Sequence, residues 1–251
     1  MYYRRGKRAA QLKAVGRPHE RYLPMITSYR IEFNEVMSPL NAPVTKFGGQ
    51  PYWLGDPQWP LSRETGQPMR FICQVCIPKD LVSSPDHIAY IFMTDGDEYV
   101  DGTWEPDGGE NAVVIQPNGG PLLVDCSATA VGPTLYRMVD KPAERRRIPQ
   151  SCEFEVSLQK SNEPDFIPQE TRLDLSDIDT REYYDALEGN KVGGTPMFIQ
   201  ADEFPEGGPW DLLLQLDSTS VPFDVNFGDA GIGYAFVSGD RAMGRFLWQC
   251  G

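Results

Sequence analysis

Short apolar runs broken by turn residues, rather than one continuous helical stripe, set the pattern of this chain. Ile26–Val36, Phe71–Val75, Ala89–Phe92, Leu212–Leu216 and Tyr234–Val237 are rich in branched and aromatic residues and bounded by turn formers, which predicts strands. The first run predicts a strand over Tyr29–Glu35. Further strands are predicted at Ala112–Ile115, Leu122–Asp125, Leu135–Val139 and Glu153–Leu158. One helix is expected near Ser176–Leu187, with Ser176 as its cap and Asp177 and Asp179 at the positive end of its dipole. Residues 159–175 read as a polar connector.

The runs recur. Lys46-Phe47-Gly48-Gly49-Gln50-Pro51-Tyr52-Trp53 matches Lys191-Val192-Gly193-Gly194-Thr195-Pro196-Met197-Phe198 at a constant separation of 145 positions. Downstream, Phe71-Ile72-Cys73-Gln74-Val75 has the shape of Leu212-Leu213-Leu214-Gln215-Leu216, and Ala89–Phe92 that of Tyr234–Val237. Each unit is a Gly-Gly-x-Pro turn, a buried strand holding one Gln, and an aromatic strand. Glycine reaches backbone conformations that other residues resist, and the proline fixes the turn exit. A Gln inside an apolar strand must find partners or cost about 1–3 kcal/mol. Gly48, Gly49, Pro51, Gln74, Gly193, Gly194, Pro196 and Gln215 are therefore read as structural, as are Gly228 and Gly231 of a later tight turn. The expected fold is α+β and β-rich: two pseudo-repeated, mainly antiparallel β units, about 46–125 and 191–250, joined by 126–190 within one domain spanning 25–251.

Charge changes the picture at the N-terminus. Net charge is −13. Within residues 1–21, seven bases stand against Glu20 alone, so this stretch carries +6 and the remainder −19. Residues 1–24 read as a basic flexible arm, with Met25 an alternative start. A body this acidic repels nucleic acid and favours a basic protein partner. No run approaches the roughly 20 apolar residues of a bilayer span. The basic start lacks the apolar region of a signal peptide, and five cysteines, an odd number, fit reduced thiols. A cytoplasmic protein is expected.

Phe47-Gly48-Gly49-Gln50-Pro51, and Gln67-Pro68-Met69 leading into Phe71–Val75, resemble the YwqG-like bacterial family, a domain of unknown function. So do Gly193-Gly194-Thr195-Pro196, Leu212–Asp217, Phe227-Gly228-Asp229-Ala230-Gly231 and Trp248-Gln249-Cys250. The resemblance covers Ile26 to the C-terminus. It implies an α+β, β-rich fold and supplies no catalytic residues. Members are often seen near toxin–immunity genes, so it also implies an immunity or partner-binding role. Many members carry a Cys-pair loop before the Gln-Pro-Met segment. Here that loop reads Leu61–Gly66, so a zinc knuckle is not implied.

Candidate chemistry is sparse. Cys73-x-x-Cys76 has metal-ligand spacing without a second pair, and reads as structural thiols. His19 and His87 are the two histidines, and no nucleophile elbow surrounds any Ser or Cys. No metal or cofactor is expected. The carboxylate-dense segment Asp95–Glu110 fails the EF-hand pattern and reads as a solvated or docking loop, with Asp97, Asp101 and Asp107 around Trp104 as an anchor. Asp229 is the candidate small-ligand contact. The function expected is a protein-binding module, of the kind that inhibits a basic partner as immunity proteins do. The alternative is a carboxylate-dependent enzyme or small-ligand-binding protein. Oligomeric state is not set by the sequence.

Overall fold

The computed structural model describes residues 24–77, 87–96, 100–117, 119–142 and 145–251. The fold is α+β and β-rich, with one large antiparallel sheet nearly closed into a barrel. At its centre, β1 (Met25–Glu35) and β10 (Glu153–Pro164) pair antiparallel, from Met25 opposite Pro164 to Glu35 opposite Phe154. Beyond β10 follow β2 (Lys46–Gly48), β4 (Arg70–Cys76), β5 (Ile88–Met93) and β6 (Asn111–Gln116). Beyond β1 follow β11 (Lys191–Gly193), β12 (Trp210–Asp217), β13 (Ile232–Ser238) and β14 (Gly244–Gln249). The two arms of the sheet mirror one another, each with a bulge at the matching place, Phe71/Cys73 and Leu212/Leu214.

The sheet curls until its edge strands β6 and β14 meet. A Cβ on Gly244 would lie 2.4 Å from Val113 Cγ1, so only glycine lets the strands approach this closely. Residues 103–107 lie along the seam. Trp104 stacks edge-on against Trp248 at 6.0 Å, Trp248 donates through Nε1 to Thr103 Oγ1, and Arg245 pairs with Asp107 at 2.7 Å.

One core fills the barrel, with Phe47, Cys73, Ile91, Val113, Ala235 and Phe246 among its members. Two smaller cores lie outside the wall, Trp59, Phe71, Tyr90 and Phe92 in one half and Phe198, Leu212, Tyr234 and Phe236 in the other. Loops cover both, so β5 and β13 are buried on both faces. This is why they read as continuous apolar runs rather than as alternating ones.

Smaller elements complete the chain. β3 (Trp59–Pro60) pairs with β7 (Cys126–Ser127), and β8 (Tyr136–Lys141) with β9 (Arg146–Ser151) forms a separate hairpin. Two helices follow β10: α1 (Gln169–Arg172) and α2 (Asp177–Leu187), the second capped by Ser176, whose Oγ accepts from Asp179 N. Two expectations are corrected. Residues 159–164 continue β10 rather than starting a connector. Leu122–Asp125 is loop, and the strand comes one step later at Cys126. Among the described residues, no helix is long and apolar enough to cross a membrane.

Candidate functional site

Buried polar side chains of the two arms make structural bonds that fall into pairs. Gln74 and Gln215 are fully buried. Gln74 Oε1 accepts from Tyr52 N, and its Nε2 donates to Ala42 O and Val44 O. Gln215 Oε1 accepts from Met197 N, and its Nε2 donates to Leu187 O and Gly189 O. Every backbone partner of the second glutamine lies 145 residues after that of the first. Tyr90 and Tyr234 donate to the carbonyls of Tyr52 and Met197. Gln116 and Gln249 each hold the next stretch of the same loop, Gly55–Asp56 and Ile199–Ala201.

Beside the glutamines lie two ion pairs. Lys46 Nζ meets Glu153 Oε1 at 2.6 Å, and Lys191 Nζ meets Glu163 Oε1 at 2.7 Å. The Gly-Gly turns fit against these carboxylates. Gly49 and Gly194 have φ of +64° and +84°, and a Cβ on Gly194 would lie 2.0 Å from Glu163 Oε1. Burial pulls the Lys191 ammonium down to about 8, with Glu163 opposing that shift. The Lys191–Glu163 pair is sealed from solvent, while Glu153 keeps 10 % of its side chain exposed beside the buried Lys46.

The acidic residues expected to form a docking surface have different surroundings. Asp97 lies outside the described residues. Asp101 is exposed, Asp107 pairs with Arg245, and Trp104 is half-buried against Trp248. Glu110 is buried, accepting from Thr94 Oγ1 and Glu64 N. Residues 103–107 close the barrel seam. Asp229 is exposed near the C-terminus, where its carbonyl accepts from Gly251 N; the side chain that braces this turn is Asn226, which accepts from Gly228 N. Cys73 is buried, while Cys76 is half-buried and donates to Pro43 O. His19 lies outside the described residues. Among the described residues no cluster of His, Cys, Asp or Glu could hold a metal.

The structure instead opens a groove of about 470 Å³ at one mouth of the barrel, where β1, β12 and the Gly-Gly turn of the second half meet. Leu213, Val237 and Ile77 form its floor, and Phe166, Phe204 and Trp210 stand along its wall. Asp165 and Asp211 lie on its rim with Arg241, which pairs with Asp211 at 3.1 Å. Arg245 lies 5.6 Å from the Trp210 ring. The groove joins an apolar floor to a polar rim. The sequence reading missed it. A signal was present: Phe204-Pro205 follows the second Gly-Gly turn as Trp59-Pro60 follows the first, again 145 positions apart.

No curated protein matches the chain. Residues 45–243, which take in the first arm of the sheet, the second arm up to β13 and most of the groove lining, match the model of the family described as a domain of unknown function, DUF1963, and the chain belongs to that family.

Proposed function

We propose that the chain is a non-catalytic protein-binding module for a basic partner, built from two copies of one β unit. The groove carries this reading, since aromatic and acidic side chains stand together along it. The −19 charge of residues 22–251 supports it by steering cationic partners toward the body. The one-for-one bonds of Gln74 and Gln215 support the two-copy reading. The YwqG-like resemblance is consistent with the family, and an immunity-type inhibitor is one form such a module takes. The enzymatic alternative is less well supported, because carboxylates it would use, Asp107 and Glu110 among them, bond within the molecule.

The test is capture on immobilised full chain from native-host lysate, with captured proteins identified by mass spectrometry. The proposal expects a basic protein, released as salt rises, because exposed charges are screened beyond about 8 Å at physiological ionic strength. Asp165→Lys with Asp211→Lys should abolish capture, and Asp101→Lys with Asp107→Lys should leave most of it. Capture of an acidic protein, or capture indifferent to salt and to the groove variant, contradicts the proposal.

A further inference from the structure

The groove has a counterpart in the first half, and there the chain fills it with its own residues. Residues 131–136 run across that place in extended form. Phe71 N donates to Pro133 O at 2.9 Å, Cys152 N donates to Leu135 O at 3.1 Å, and Gln50 clasps both the N–H and the carbonyl of Gly132. Leu135 is fully buried in the barrel core. Gly132 lies so close to Trp59 that a Cβ on it would be 2.8 Å from the ring. Tyr136 covers the Arg70 guanidinium at 4.9 Å. Just upstream, Cys126–Ser127 pairs with Trp59–Pro60.

The positions that hold this plug have equivalents in the second half, and those equivalents line the groove. Gln50 corresponds to Thr195, Phe71 to Leu212, Trp59 to Phe204 and Arg70 to Asp211. Cys152 corresponds to Thr27, since each precedes the residue set opposite the first glycine of its turn, Glu153 opposite Gly48 and Ser28 opposite Gly193. Where the plug lies, Trp59 is 0 % exposed and Arg70 3 %. Where the described residues supply no plug, Phe204 is 40 % exposed and the Asp211 side chain 61 %. Phe204–Pro205 has no strand partner among the described residues. The second half is built to carry a plug and the described chain supplies none.

We propose that this groove receives an extended segment of a partner protein, laid against Leu212 and Thr27 as residues 131–136 lie against Phe71 and Cys152. One apolar side chain takes the place of Leu135 and points toward Leu213, Val237 and Ile77. Main-chain bonds supply register and the apolar anchor supplies selectivity, the usual division when an extended peptide joins a sheet. Asp211 stands where the first half has Arg70 and Asp165 lines the same groove, so residues flanking the anchor are cationic, competing with Arg241 for Asp211. This inference rests on the two-copy reading above and gives the binding module its ligand class.

A synthetic peptide copying Ser127–Arg137 of this chain is the probe, titrated into isotope-labelled full chain and followed by amide NMR shifts. The expected result is saturable shifts centred on Thr27, Thr195, Leu212 and Val237, with at least a tenfold loss of affinity when the peptide carries Leu135→Asp. Because the change is in the peptide, no loss can come from misfolding of the protein. Shifts elsewhere, or affinity unchanged by Leu135→Asp, overturn the proposal. So does binding seen only after residues 1–24 are removed, which would make the chain's own arm the occupant. If the peptide fails while salt-dependent capture of a basic protein persists, the extended-segment inference falls and the binding-module reading stands. If the peptide binds and capture fails, the reverse holds.

Discussion

A single amide side chain ties each Gly-Gly turn to the strand that follows it. Gln74→Leu leaves Tyr52 N, Ala42 O and Val44 O without their partner, and Gln215→Leu does the same to Met197, Leu187 and Gly189. Each substitution is expected to cost about 2–4 kcal/mol in urea unfolding, and the two costs should be similar. A loss below about 1 kcal/mol for either would contradict the role given to it. The glutamines were legible in the sequence because a polar residue inside an apolar run has to be satisfied. The ion pairs were not. Lys46 and Lys191 match at 145, but their partners Glu153 and Glu163 sit ten residues apart on the same strand, so no repeat spacing reveals them. Lys191 titrates near 8 in the folded chain, against about 10.4 when unfolded. Between those values the unfolded chain holds a proton that the folded chain has released, so stability rises with pH through that window. The difference in unfolding free energy between wild type and Lys191→Met with Glu163→Leu should therefore move toward wild type from about pH 7.5 to pH 10. A difference independent of pH would contradict it.

Elements were read well where their apolar character is set by burial on both faces, as in β4, β5, β12 and β13. They were read poorly where a short apolar run serves a loop. Leu122 and Val124 meet the outer core as loop residues, so their hydrophobicity reports packing rather than strand pairing. The Asp95–Glu110 segment shows the same limit. Its carboxylates suggested a surface for a partner, but Trp104 and Asp107 bond within the molecule along the seam, and Glu110 bonds to Thr94 and Glu64. Composition tells how acidic a loop is and not which bases it will meet. Trp104→Ala is expected to loosen that seam, costing about 2 kcal/mol, less than a fully buried aromatic because the ring is half exposed. Amide exchange along β14 should rise while β1 and β10 stay protected. Uniform acceleration across the sheet, or none, would contradict the seam assignment.

At the scale of the whole molecule, two matched arms of one sheet differ in what covers their mouths. The first is plugged by residues 131–136, and the second, among the described residues, is an open groove. The internal match was visible in the sequence, but the difference between the arms was not, because it depends on a segment far from the matched motifs folding back over only one of them. Native-state amide exchange at two equivalent positions tests this most directly. Phe71 N–H is bonded to Pro133 O, while Leu212 N–H occupies the same place beside the groove. The account predicts that Leu212 exchanges at least tenfold faster than Phe71 in the free protein. Equal protection at the two amides would mean that the second mouth is closed as well, and would contradict it.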